Sequence, residues 1–169
     1  MPSPITVNIR MKPHLINFLE NKYGKQPIEF PRKDRFGAIV PQLLRKPLPT
    51  ENQFENYGPE NLTIVLPWCE EKNVLYHNFI PASAQEMFQN IINKAFRVEF
   101  HDFCNDAYTC NVGPVESVNV FIDLNGLDPS VFDMLIKERQ RYMENQRLVK
   151  WRQKKSRQLT RRFVSEETE

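Results

Sequence analysis

The stretch VESVNVFIDLNGLDPSVFDMLIKERQRYMENQRLVKWRQKKSRQLTRR, residues 115–162, decides how the rest of the chain is read. Val115, Val118, Phe121 and Ile122 recur at helical spacing, and Val131, Phe132, Leu135 and Ile136 do so again after the interruption Asn125-Gly126-Leu127-Asp128-Pro129. Gly126 supplies the left-handed backbone that a sharp corner between helices needs, and Leu127 can plug that corner. Asp128 before Pro129 reads as an N-cap followed by a first helical residue, so the second helix is expected to start at Pro129. That helix runs into the densest positive charge of the chain: between Lys137 and Arg162 eleven basic residues stand against two acids, Glu138 and Glu144, a net +9.

Residues 1–136 have the opposite balance, with 12 basic and 16 acidic side chains, so the overall +2 of the 169 residues conceals a strong asymmetry. Such a split points to an anionic partner. No run approaches the roughly 18 apolar residues of a membrane span, and Met1-Pro2-Ser3-Pro4 does not read as a signal peptide, so a cytoplasmic protein is expected. Three cysteines fit a reducing compartment better than a disulfide framework.

Working outward, Ile5-Thr6-Val7-Asn8-Ile9 alternates like a strand, and Lys12-Pro13 opens a helix with Leu15, Ile16, Phe18 and Leu19 on one face, ended by Tyr23-Gly24. A strand followed by a helix admits a ribbon-helix-helix reading, with Thr6, Asn8 or Arg10 facing bases, but Pro41 interrupts the second helix which that motif requires. Pro27 to Pro31 reads as a short edge segment, and Pro47 to Asn61 as a proline-stiffened connection. Leu62–Leu66 and Val74–His77 form an expected hairpin about Glu70-Glu71-Lys72-Asn73. Ser83-Ala84-Gln85-Glu86 reads as a capping box that starts a core helix reaching to about Asp106, lined by Phe88, Ile91, Ile92, Ala95, Phe96 and Phe103.

The expected fold is therefore α+β and mostly helical, with a small antiparallel sheet and a C-terminal helix-turn-helix-like hairpin. Residues 1–153 form one compact domain, of which 112–153 are the C-terminal part, and 154–169 are a basic then acidic tail without stable structure. His101, Cys104 and Cys110 lack the paired short spacings of structural zinc, so neither metal nor cofactor is expected. Five scattered glycines build no phosphate loop, no thiol–base pair is evident, and an enzyme is not expected.

Two segments, ITVNIRMKPHLINFLENKYG from Ile5 and VESVNVFIDLNGLDPSVFDMLIKERQRY over Val115–Tyr142, resemble parts of small helix-turn-helix-like DNA-binding proteins of bacterial phages and mobile elements. The resemblance implies duplex DNA as partner, docked through the C-terminal basic helix. On the residues themselves, Arg139, Arg141, Arg147, Lys150 and Arg152 are the expected phosphate contacts, with Lys137 and Ser130 nearer the bases. Ile122 stands where such a motif favours a small residue, and Asn125 where it favours an apolar one. Two alternatives stay open: an αα-hairpin followed by a solvated basic helix, and a non-enzymatic scaffold in which Tyr142, Val149 and Trp151 form a homodimer or bind a partner protein.

Overall fold

A computed structural model describes residues 4–49, 60–68 and 72–166, with side chains up to Arg157. Its elements in chain order are β1 (Thr6–Arg10), α1 (Pro13–Tyr23), α2 (Arg35–Leu43), β2 (Asn61–Val65), α3 (Ala82–Thr109), α4 (Pro114–Leu124) and α5 (Phe132–Glu166), with a 3-10 turn, Pro129–Val131, leading into α5. The fold is α+β, mostly helical, with a two-stranded antiparallel sheet.

The sheet pairs distant segments. β1 lies against β2 with Val7 opposite Ile64 and Ile9 opposite Leu62. Ile9, Leu62 and Ile64 are buried, which fixes the register, because a slip of one residue would turn each of them to the other face. The Thr63 hydroxyl donates to Asn8 Oδ1 at 2.9 Å across the pair. Ile28 lies along the other edge of β2, accepting from Val65 N at 2.8 Å and donating to Thr63 O at 2.9 Å, as its edge reading anticipated. The expected hairpin partner is not a strand: Val74–Tyr76 is a turn, and Phe79 makes the next sheet-like contact, with Arg45. The middle of that connection, 69–71, lies outside the described residues, as do 50–59 of the proline-rich connection. Because β1 is already paired within its own chain, the ribbon-helix-helix arrangement is replaced by an intramolecular sheet.

α3 is the spine. Phe88, Ile92, Phe96, Phe100 and Cys104 form a buried stripe along it, in one cluster with Leu15, Phe18 and Leu19 of α1, where Phe18 meets Phe96, and with Val118 and Phe121 of α4, where Phe121 meets Phe96, Phe100 and Phe103. The helix begins one residue before Ser83, after Pro81, and no side chain caps it, so the expected capping box is not formed. Gln85 is instead turned inward: its amide accepts from Arg10 N and donates to Ile80 O, each at 2.9 Å, which ties the end of β1 to α3. α2 carries Pro41 in its last turn and ends two residues later, at Leu43. Gly37 is required where α2 passes the preceding loop, since a Cβ there would lie 2.1 Å from Pro31 O.

Candidate nucleic-acid interface

The corner between α4 and α5 is built largely as the sequence reads. Gly126 has φ +58°, Leu127 N donates to Ile122 O at 3.0 Å and Gly126 N to Asp123 O at 3.2 Å, a closed helix ending that a left-handed residue makes possible. Leu127 is buried in the corner. Asp128 caps the 3-10 turn rather than α5 itself, accepting from Ser130 N at 2.8 Å, and the α-helix starts at Phe132 instead of Pro129. Hydrogen bonds from Ser130, through its side chain and its backbone, hold the Asp128 carboxyl below the usual range.

Along its first three turns α5 is held on α3 and α4. Leu135 is buried, and Tyr142 stacks flat on His101 with ring centroids 4.0 Å apart and planes 9° from parallel. Its hydroxyl accepts from Asn105 Nδ2 at 2.6 Å. Glu138 Oε1 lies 3.2 Å from His101 Nε2 and 3.8 Å from Arg97 Nε. His101 and Cys104 are thus packing residues of this junction, and burial pushes the Cys104 thiol up to about 11 against the opposing pull of the Arg139 guanidinium. Among the described residues no group of three His, Cys, Asp or Glu side chains could hold a metal ion.

Beyond Gln146 the helix leaves the body, and every described side chain from Arg147 to Arg157 is exposed. The stripe that faces inward at Leu135, Arg139, Met143 and Gln146 continues as Lys150, Lys154 and Arg157, with Arg147 beside it. A helix cannot bury such a stripe against an apolar body, because unpaired ammonium and guanidinium groups are too costly to desolvate. The opposite face carries Leu148, 45% exposed, and Trp151, 59% exposed, with Lys155 Nζ 5.1 Å over the indole. The helix does not stop near residue 153. It continues to Glu166, since no glycine or proline interrupts 130–166 and Gln, Lys, Arg and Leu favour helix. The acidic end 167–169 lies outside the described residues.

The seven residues singled out in the sequence do not share one face. Lys137 and Arg141 are exposed one turn apart on the outer side of α5, and Arg152 falls on the same side further along. Arg147 and Lys150 lie on the stripe continuing the inner face, and Ser130 sits in the 3-10 turn, about 33 Å of helix rise from Arg152. Arg139 departs from its expected place altogether: only 9% exposed, it is not on the outer surface, because its position four residues after Leu135 and four before Met143 turns it inward. Lys154, Lys155 and Arg157, assigned to a tail by the sequence reading, belong to the same projecting helix; the spacing 147, 150, 154, 157 marks them. Near the start of α5 the charge is acidic, with Asp123, Asp128 and Asp133 all exposed.

No family model, curated protein or solved structure matches the chain. Among the described residues no helix is long and apolar enough to cross a membrane.

Proposed function

We propose that this chain is a non-enzymatic, cytoplasmic DNA-binding protein that docks duplex DNA through the distal half of α5. The observation that carries the reading is the exposure of every described side chain from Arg147 to Arg157 on a helix that has left the body, with six of those eleven residues basic and none acidic. Arg147, Lys150, Arg152, Lys154 and Arg157 serve as phosphate contacts, releasing counterions as they dock, and Arg141 flanks them nearer the body. Lys137 lies nearer the body and supports the same approach, whereas Ser130 is set among Asp123, Asp128 and Asp133, where phosphate is repelled. Docking therefore shifts away from the start of α5, where a helix-turn-helix would place its base contacts.

A physical advantage of the partner follows from the stripe. Arg147, Lys150, Lys154 and Arg157 are successive like charges three or four residues apart, and each such pair costs a helix about 0.2–0.5 kcal/mol. A polyanion removes that repulsion, so helix content rises on binding. The test is fluorescence anisotropy with a labelled duplex of about 20 base pairs against a Lys150→Glu/Lys154→Glu/Arg157→Glu variant. The variant should lose most of its affinity and keep its melting temperature; unchanged affinity defeats the reading.

A second reading rests on the apolar side of the same helix. Leu148 and Trp151, three residues apart on one side and 45% and 59% exposed, suit a partner helix or a second copy of the chain. Light scattering distinguishes the two, since a scaffold self-associates without DNA and a Leu148→Gln/Trp151→Gln variant then becomes monomeric.

A further inference from the structure

We infer that the groove beneath Arg139 is a binding site for a small organic anion, one with a phosphate or carboxylate group on an apolar body. The groove, about 370 Å³, opens between the end of α3, the start of α4 and the middle of α5. It is lined by Tyr108, Val112, Pro114 and Met143, by the polar Asn111 and Arg139 and, at the rim, by Arg147.

Arg139 is the reason to expect a ligand. It is only 9% exposed, its buried Nε has no hydrogen-bond partner, and among the described residues no carboxylate pairs with it. The nearest acid on its own helix, Glu138, is turned to Arg97 and His101. The Cys104 thiol on α3 hydrogen-bonds with the Arg139 side chain, but burial pushes it up and it remains neutral near pH 7, so it offers no counter-charge. A buried guanidinium without an anion is costly, and its planar fork matches phosphate or carboxylate oxygens in a two-point hydrogen bond.

The surroundings agree with an anion. Pro114, in the groove wall, is the first residue of α4, whose N-terminus carries no side-chain cap and presents positive dipole to its vicinity. Asn111, at φ +58°, closes α3 by the bond from Val112 N to Ala107 O at 2.9 Å and leaves its amide at the groove. Arg147 adds a second, exposed cation. A bare inorganic ion would leave the apolar wall uncovered, which is why the ligand has an apolar body.

The test uses the full chain labelled with 15N-arginine, titrated separately with phenyl phosphate, phenylacetate, inorganic phosphate and neutral benzyl alcohol. The Arg139 Nε–H resonance should move with phenyl phosphate, phenylacetate or both, and the better of the two names the group the site prefers. At ten times its Kd that probe should raise the melting temperature by about 3–6 °C. Arg139→Met should fold, lose the response and weaken binding roughly ten- to hundredfold, as expected for a lost charge-assisted hydrogen bond. Should Arg139→Met not fold, Arg147→Gln, altered only at an exposed rim residue, should still weaken the probe about three- to tenfold. Absence of any shift with both organic anions, equal binding of benzyl alcohol, or undiminished binding by these variants overturns the inference. Affinity for duplex DNA should survive Arg139→Met, which keeps this result separate from the proposed function.

Discussion

Truncation after Arg147 separates the work of the body from that of the projecting helix. The deletion removes 19 of the 35 residues of α5, including Lys150, Arg152, Lys154, Lys155 and Arg157, yet every described side chain beyond Gln146 is exposed. The groups that seat α5, namely Leu135, Glu138, Arg139, Tyr142 and Met143, all remain. Substitutions at exposed positions away from packing features typically change stability by less than about 0.5 kcal/mol, and for a chain of this size that is about 2 °C in melting temperature. Ellipticity at 222 nm should fall, because helix is removed, while the melt followed by near-ultraviolet circular dichroism should stay within about 2 °C of the full chain. Four of the candidate phosphate contacts, Lys150, Arg152, Lys154 and Arg157, disappear together, so the slope of log affinity against log salt should lose about 3.6 of its magnitude. A fall in melting temperature beyond about 5 °C would show that the distal helix packs on the body, and the assignment of an exposed basic stripe would collapse with it.

Three further outcomes follow from the packing. Phe121 meets the rings of Phe96, Phe100 and Phe103 at 5.8, 4.9 and 5.4 Å and is 2% exposed, so Phe121→Ala should cost about 3–5 kcal/mol in urea unfolding; a loss below about 1.5 kcal/mol would mean α4 is not anchored there. A double-mutant cycle on His101→Ala and Tyr142→Ala should give a coupling of about 0.5–1.5 kcal/mol for the flat stack, and strict additivity would remove that contact from the junction of α3 and α5. Burial, aided by Lys12, holds the His14 imidazole below its usual 6.5, so the unfolded chain binds more protons between the two values: the His14 contribution is full above about pH 6.5 and is lost as pH falls towards the lower, folded value. His14→Phe, which keeps a ring beside Phe96, should accordingly gain in melting temperature relative to the natural chain between pH 7 and pH 5, and parallel curves would refute the assignment.

Much of this fold is readable in the sequence because it is periodic. The aromatic repeat of α3, the Tyr23-Gly24 ending of α1 and the Gly126 corner each follow from local spacing and backbone preference, and each stands in the structure. What the sequence hides is pairing over distance. Val74–His77 looks like the partner of β2 because it is nearby, whereas the actual partner, β1, lies more than fifty residues earlier and is selected by the shared burial of Ile9, Leu62 and Ile64. Ser83 satisfies the letter of a capping box, but Pro81 opens the helix and leaves it inside the first turn. Arg139 illustrates the same limit within the candidate site. Composition places it among eleven exposed cations, and only its register with Leu135 and Met143 shows that it points inward. That register, read onward through Lys150, Lys154 and Arg157, also marks where the helix leaves the body.

The central claim, that the distal half of α5 docks the phosphates of duplex DNA, is tested most directly by the salt dependence of binding. With four to six contacts, log affinity should fall against log salt with a slope of about −4 to −5, a loss of roughly 250- to 1,000-fold between 50 and 200 mM salt. Undetectable binding at 50 mM, or a slope shallower than about −1, contradicts it.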